Sequence, residues 1–231
     1  MGENAKLISA EGCDGSGKST QIDLIKKYLE SHNLKYEHVH FPIYGNNEAS
    51  NVIAAYLRGE YGDIDKVNPI FVANMYAMDR YLYLPTLQKQ LIENDVVILD
   101  RYVFSNMAFQ GAKYNTEAQS QIMRDWINEY EFGFLELPYP DLNIFFDVPI
   151  EIIEKRLEEK REGEDRQYLN GKSDIHERNI EYQIKVRDNY LALKQYQGYH
   201  IISTENLTPE EIFNKYKDIL DLTLFNKKQD V

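Results

Sequence analysis

The sequence is poor in cysteine, in basic residues and in long apolar stretches. Its 231 residues include one cysteine, which cannot form an internal disulfide, and no Cys/His cluster has zinc-binding spacing. The 26 Lys and Arg residues against 38 Asp and Glu give a net charge of −12, which argues against a duplex nucleic acid as partner. No stretch approaches the ~20 apolar residues of a membrane span, and no apolar leader opens the chain. We therefore expect a cytoplasmic protein without nucleic-acid or membrane partners.

Five short apolar runs alternate with longer segments of helical periodicity. Because 43% of the residues are hydrophobic, the chain is able to build a large core, and we expect one domain over residues 1–231. The alternation predicts an α/β fold with a mainly parallel sheet and helices on both faces. The predicted strands are residues 6–10, 36–41, 96–100, 143–148 and 200–203.

A phosphate-binding loop follows the first predicted strand. Residues 12–19 read Gly-Cys-Asp-Gly-Ser-Gly-Lys-Ser, which matches G-x-x-x-x-G-K-[ST] and precedes a predicted helix. In this motif backbone N–H groups surround the phosphates, so we expect Lys18 to reach the β and γ phosphates and Ser19 to ligate Mg²⁺. The predicted triphosphate-binding residues are Gly12, Cys13, Asp14, Gly15, Ser16, Gly17, Lys18, Ser19 and Thr20.

Charged residues lie at the ends of the predicted strands and inside the loop. Asp100 ends the third strand after four aliphatic residues, which is the Walker B arrangement that holds Mg²⁺. Arg101 is suited to binding a second phosphate, although an ion pair with Asp100 is an alternative. A carboxylate repels phosphate, so Asp14 is expected to bind a sugar hydroxyl of an acceptor or to form an Asx turn.

Tyr76 and Arg80 share one face of the helix predicted for residues 68–94, because they are four residues apart. A tyrosine ring stacks on a base and an arginine bonds its edge, so the pair suits a nucleobase. A solvent-facing cation–π pair explains the spacing equally well.

Two further helices have sequence signals. Ile180, Ile184 and Leu191 recur at helical spacing and predict the buried stripe of a helix within residues 176–197. Thr208-Pro209-Glu210-Glu211 has the residue types of a capping box with proline at the first helical position.

A segment of mixed charge separates the fourth strand's helix from the next helix. Arg161, Arg166 and Lys172 in this segment have two interpretations: a solvated loop, or a lid that brings cations to a transferring phosphoryl group. Beyond it, Asp174 and Glu177 are either an N-cap with its N3 glutamate or carboxylates directed at an acceptor or a metal.

Four segments together resemble the thymidylate kinase family of nucleoside monophosphate kinases. They are Glu11-Gly12-Cys13-Asp14-Gly15-Ser16-Gly17-Lys18, Phe41-Pro42-Ile43-Tyr44-Gly45, Tyr76-Ala77-Met78-Asp79-Arg80, and the Asp-Arg-Tyr segment over residues 100–109. The resemblance spans most of the chain. It implies a P-loop NTPase-type three-layer αβα fold with strand order 2-3-1-4-5, a lid at about residues 158–174, and a homodimer.

The resemblance also implies the substrates, ATP with Mg²⁺ and dTMP, and the roles of individual residues. Tyr76 would stack on thymine, with Arg80 and Asn106 on its edge, while Tyr44 and Arg101 would hold the 5′-phosphate. The loop lacks a cation at Gly15 and Ser16, so Arg161 or Arg166 of the lid would be catalytic. The implied catalytic residues are Asp14, Lys18, Arg101, Arg161 and Arg166. The implied metal ligands are Ser19, Asp100, Asp174 and Glu177. The implied dTMP-binding residues are Asp14, Phe41, Tyr44, Tyr76, Arg80, Arg101, Asn106, Phe109, Asp174 and His176.

Three positions depart from the family pattern. Ile43 stands where some members have arginine, and Phe109 and His176 stand where tyrosine is found. Because the tyrosine hydroxyl at position 109 would lie near C2′ of the sugar, its loss bears on selectivity for deoxyribose.

The predicted reaction is phosphoryl transfer from ATP to dTMP, which gives dTDP and ADP. Two alternatives remain: a deoxynucleoside kinase, which would need a base for its hydroxyl acceptor, and an ATP-binding regulator without catalysis. A guanine-nucleotide switch is disfavoured, because Asp100-Arg101-Tyr102-Val103 is not D-x-x-G.

Overall fold

The computed structural model describes residues 5–158, 168–171, 174–176 and 179–225. Within these residues a five-stranded sheet has the order β2-β3-β1-β4-β5, and each neighbouring pair is parallel. The strands are β1 (Lys6–Glu11), β2 (Tyr36–His40), β3 (Val96–Asp100), β4 (Leu142–Asp147) and β5 (Tyr199–Ser203). The predicted strands, their order and the α/β class are confirmed, with bounds shifted by one residue at some strand ends.

Helices connect the strands and cover the sheet. They are α1 (Lys18–Ser31), α2 (Glu48–Leu57), α3 (Pro69–Glu93), α4 (Val103–Gly111), α5 (Glu117–Asn128), α6 (Ile150–Glu158), α7 (Ile180–Ala192) and α8 (Pro209–Phe225). A π-helical turn follows α5 at Glu129–Phe134, and a 3₁₀ turn follows α7 at Leu193–Gln195. Among the described residues, no helix is long and apolar enough to cross a membrane.

Alternate strand residues pack into two separate cores, one on each face of the sheet. On β3, Val97 and Leu99 join one apolar cluster, while Val96 and Ile98 join the other. All of them are at most 1% exposed, as expected for a parallel sheet with helices on both faces.

The capping box at the start of α8 is confirmed. The Thr208 N–H donates to Glu211 Oε2 at 2.8 Å, and the Glu211 N–H donates to Thr208 Oγ1 at 3.3 Å. The N–H groups of Thr208 and Glu211 are thus satisfied by side chains, as in a capping box.

The predicted buried stripe of α7 is wrong at Ile184, whereas Ile180 is half-buried and Leu191 packs against the core. Ile184 is 41% exposed, and the helix instead buries Tyr182, Val186 and Tyr190. The two tyrosines satisfy their hydroxyls inside the protein, Tyr182 by donating to the Phe109 carbonyl at 2.6 Å and Tyr190 by bonding Ser105 Oγ at 2.8 Å. Because these hydroxyls have partners, the aromatic face is buried in preference to the aliphatic one.

Candidate active site

A cavity of about 1020 Å³ opens at the carboxyl ends of the parallel strands. Ligands bind at this edge in open α/β sheets, because strand-to-helix loops converge there. The cavity is lined by most of the predicted site residues: Cys13 to Thr20, Phe41, Tyr44, Tyr76, Arg80, Asp100, Arg101, Asn106, Phe109, Asp174 and His176. Gly12 lies in the loop but does not line the cavity. Arg161, Arg166, Lys172 and Glu177 lie outside the described residues.

The phosphate loop leads directly into α1. Gly17 precedes the helix in the left-handed region, with φ of 83°, and no side chain caps the first turn. A Cβ at Gly12 would collide with the Ser16 side chain, so the tight loop requires glycine there. The uncapped N–H groups and the helix dipole together form a site for an anion.

Asp100 at the end of β3 binds two cationic or polar side chains. It accepts from Lys18 Nζ of the loop, and its other oxygen lies 3.0 Å from His40 Nδ1 at the end of β2. Burial alone would raise the pKa of Asp100, but Lys18 and His40 hold it well below its usual range. Asp100 is therefore an ionised carboxylate beside the phosphate loop.

Arg101 connects the loop to the interior of the cavity. Its Nη2 donates to Asp14 Oδ1 at 2.6 Å, and its Nη1 donates to the Gly12 carbonyl at 2.9 Å. The guanidinium carbon lies 5.3 Å from the centre of the Phe109 ring. Although burial opposes its charge, Asp14 and neighbouring groups keep the pKa of Arg101 well above its usual value. The alternative ion pair between Asp100 and Arg101 is not found among the described residues.

Two buried polar side chains of the cavity wall, Arg80 and Asn106, share one buried partner. Arg80 is 2% exposed and Asn106 on α4 is also 2% exposed, and both donate to the buried carboxylate of Glu131 in the π-helical turn. The solvent-facing alternative for Tyr76 and Arg80 is wrong, because Arg80 is buried.

Aromatic rings line the cavity near the end of the predicted lid. Tyr44 stacks on Tyr168 with ring centres 4.0 Å apart, and the Tyr168 hydroxyl donates to Asp174 at 2.9 Å. His176 stacks on Phe109 at 5.2 Å. Burial, with Lys113 adding to it, lowers the pKa of His176 to about 3, so its ring is neutral at physiological pH.

Residues 10–215 match the family model for thymidylate kinase. The chain belongs to the thymidylate kinase family. It is 34% identical to thymidylate kinase of Mycobacterium tuberculosis (strain ATCC 25618 / H37Rv) over 150 residues, which cover 65% of this chain and 69% of that protein. It is 30% identical to probable thymidylate kinase 1 of Saccharolobus solfataricus over 220 residues, 95% of this chain and 99% of that one. A solved thymidylate kinase structure from Candida albicans has the same fold, with a TM-score of 0.72 and 22% sequence identity. The match covers 94% of this chain and 92% of that one.

Membership of the thymidylate kinase family confirms the predicted activity, ATP-dependent phosphorylation of dTMP to dTDP. It favours this reaction over the two alternatives, a deoxynucleoside kinase and an inactive regulator.

The predicted N-cap at Asp174 is wrong for this family member. Asp174 accepts the His176 N–H at 2.7 Å in a local turn, whereas α7 begins later, with the Asn179 side chain accepting the Tyr182 N–H at 3.0 Å. The turn directs Asp174 toward Tyr168 and the cavity, so the carboxylate lines the site.

Several site residues of this kinase were missed by sequence reasoning. His40 had a usable signal, since it ends β2 as Asp100 ends β3. Arg156 on α6 lines the cavity and donates to the Gly15 carbonyl at 2.6 Å, and Tyr168 stacks on Tyr44. Glu131 gave no signal, because a single glutamate after a helix has no distinguishing pattern. Among the described residues no group of three or more His, Cys, Asp or Glu side chains forms a metal site.

Proposed function

We propose that this chain holds ATP over the phosphate loop and dTMP in the deeper part of the same cavity. One observation carries the proposal: an uncapped helix N-terminus, an ionised carboxylate with its lysine, and a partly buried arginine converge on one cavity with groups that suit a base edge. The helix N-terminus, the carboxylate and the lysine suit a triphosphate. The arginine and the groups for a base edge suit a nucleoside monophosphate.

On the donor side, Lys18 is proposed to leave Asp100 for the β and γ phosphates. The Ser19 hydroxyl and the Asp100 carboxylate fit Mg²⁺, which takes oxygen ligands and is usually bound by one or two protein groups together with substrate phosphates. The low pKa of Asp100 keeps it available as such a ligand. Mg²⁺ would supply charge neutralisation of the phosphates. Asp174 and Glu177 remain predictions as metal ligands.

On the acceptor side, Arg101 and Tyr44 are proposed to hold the 5′-phosphate of dTMP, with Tyr76 stacked on the base. Arg101 suits this role because it is already fixed by Asp14 and the Gly12 carbonyl, so little side-chain freedom is lost on binding. Asp14 would then lie between the acceptor sugar and Arg101.

The chemical step needs positioning and charge neutralisation more than proton transfer. A phosphate oxygen of dTMP attacks the γ-phosphorus, and the bond to the bridging oxygen of ADP breaks. The acceptor phosphate has a second pKa near 6 and is mostly a dianion at neutral pH, so no general base is required. Lys18, Arg101 and a lid arginine, either Arg161 or Arg166, are proposed to surround the transferring group.

We also propose that the protein is a cytoplasmic homodimer. This rests on the family resemblance and on the composition of the chain. Sedimentation equilibrium should give twice the chain mass; a monomer at micromolar concentration would exclude the dimer.

A coupled assay of ADP release tests the proposed function. The purified protein is given ATP, Mg²⁺ and one acceptor at a time: dTMP, dUMP, dCMP, dAMP, dGMP or thymidine. We expect dTMP to give the largest kcat/KM and thymidine to give none. Stimulation by thymidine alone would indicate a nucleoside kinase, and no stimulation by any acceptor would indicate a regulator.

A further inference from the structure

A buried carboxylate lies against both residues proposed to contact the base. Glu131 is 0% exposed, in the π-helical turn that follows α5. Arg80 donates to it twice, from Nε at 2.6 Å and from Nη2 at 2.7 Å, and Asn106 Nδ2 donates to it at 2.8 Å. Replacing a buried ion pair by apolar residues is often no less stable, so a functional reason for retaining this one is worth testing.

Glu131 fixes which end of the Asn106 amide faces the cavity. The amide nitrogen has two neighbours, the Glu131 carboxylate and the Ala73 carbonyl at 3.1 Å, and both are acceptors. Turning the amide would place its oxygen against two other oxygens, which is unfavourable. Asn106 Oδ1 is thus turned away from Glu131, and it is buried without a hydrogen-bond partner among the described residues.

Glu131 also selects which nitrogen of Arg80 remains free to act. The carboxylate occupies Nε and Nη2, whereas Nη1 makes no hydrogen bond to any described residue, and Arg80 lines the cavity. Arg80 and Asn106 both line the cavity, so the acceptor and the donor that Glu131 leaves available to a bound base are Asn106 Oδ1 and Arg80 Nη1.

This order of acceptor and donor matches one class of pyrimidine. Thymine and uracil carry a donor at N3–H and an acceptor at O4, which complement the two protein groups. Cytosine has an acceptor at N3 and a donor at C4, so both contacts would be mismatched. We propose that Glu131 is a specificity-determining positioning residue, which fixes Asn106 and Arg80 so that 4-keto pyrimidines are accepted and 4-amino pyrimidines are rejected. The inference rests on the proposed function, because it takes dTMP to be the acceptor in this cavity.

The Glu131→Gln variant tests the proposal directly. An amide at position 131 is able to donate to Asn106 Oδ1, which lets the Asn106 amide turn and present its nitrogen to the cavity. Acceptors are dTMP and the 5′-monophosphate of 5-methyldeoxycytidine, which differ only at N3 and C4. We expect the ratio of kcat/KM for dTMP to kcat/KM for the 5-methylcytosine nucleotide to fall at least about tenfold. This is a small part of the discrimination that mismatched hydrogen-bonding groups produce. The KM for ATP should not change.

The double variant Glu131→Gln/Asn106→Asp separates positioning from general structural damage. An aspartate at position 106 has no N–H group that could turn toward the cavity. The glutamine amide at position 131 would donate to one carboxylate oxygen of this aspartate, and the second carboxylate oxygen would face the cavity as an acceptor. We expect the preference for dTMP to return. A structural role alone predicts no such rescue.

The matched control is Glu117→Gln. Glu117 also binds a buried arginine, Arg124, but it does not line the cavity, and the ratio of the two acceptors should stay at the wild-type value.

An unchanged ratio in a folded Glu131→Gln protein would overturn the inference while leaving the proposed function intact. Absence of dTMP-dependent ADP release in the wild type would instead overturn the function. If circular dichroism shows that Glu131→Gln does not fold, the double variant decides alone: it must keep the preference for dTMP, and its loss would overturn the inference.

Discussion

The two halves that we propose for the cavity would recognise their nucleotides with different parts of the chain. The donor half is built from backbone: N–H groups of a glycine-rich loop at an uncapped helix, with Ser19 and Thr20 exposed to solvent. The proposed acceptor half is built from buried side chains, and Arg80 and Asn106 both donate to Glu131 before any ligand binds. Backbone groups read phosphates, which all nucleotides share, whereas a preformed side-chain network is able to read one base. The difference predicts that changes in the donor half reduce rate and changes in the acceptor half alter selectivity.

The largest expected effect is in the donor half. Lys18→Ala removes the cation that we propose to reach the transferring phosphates, and turnover with ATP and dTMP should fall about 10³-fold or more. The relative kcat/KM values for dTMP and other acceptors should be retained, as measured by ADP release. Lys27→Ala is the control, because Lys27 is an exposed lysine on the same helix that does not line the cavity. A changed acceptor preference in Lys18→Ala would show that the two halves are not separate.

The lid residues are expected to behave like the donor half. Loss of the arginine that we propose to be catalytic, by Arg161→Ala or Arg166→Ala, should reduce turnover about 10³-fold, because charge on the transferring group would no longer be neutralised. Lys155→Ala removes an exposed cation from α6 and should have little effect. Near-normal turnover in both arginine variants would exclude a catalytic lid.

In the acceptor half, His176 should make stability depend on pH. Its folded pKa is about 3, whereas an unfolded histidine titrates near 6.5, so between these values the unfolded state binds the extra proton. The free energy of unfolding therefore falls as pH falls from about 6.5 toward 3. The free energy of unfolding that the protein loses between pH 7 and pH 5 should be about 2 kcal/mol smaller in the His176→Phe variant than in the wild type.

Urea denaturation at both pH values measures this effect. The control is a change of His32, an exposed histidine at the C-cap of α1. Equal stability losses in the wild type and His176→Phe would mean that His176 is not buried as a neutral ring.

The smallest effect concerns the sugar. Phe109 is 8% exposed and lacks the hydroxyl that the family resemblance places near C2′. Phe109→Tyr should raise the preference for dTMP over its ribonucleotide counterpart roughly tenfold, with little change in the kcat for dTMP. Competition between the two acceptors gives the ratio. If it stays constant, position 109 does not read the sugar.

The contrast between local patterns and side-chain networks also explains which features could be predicted from the sequence. The strands and the phosphate loop are local signals, since a short apolar run and eight consecutive residues specify them with little help from the rest of the chain. Glu131 is different: its importance arises only when the π-helical turn is packed against α3 and α4. The buried face of α7 is a further case, because it depends on partners that satisfy the hydroxyls of Tyr182 and Tyr190. Residues selected by tertiary contacts lack a pattern of their own.

The most direct test of the two-part cavity is a crystal structure with dTMP and a non-hydrolysable ATP analogue bound. We predict that the triphosphate lies on the loop beside Lys18 and the dTMP phosphate lies on Arg101. Thymine N3 should bond Asn106 Oδ1 and thymine O4 should bond Arg80, with Glu131 still holding both residues. A thymine ring bound elsewhere would contradict this account, and so would an Asn106 amide whose oxygen faces Glu131.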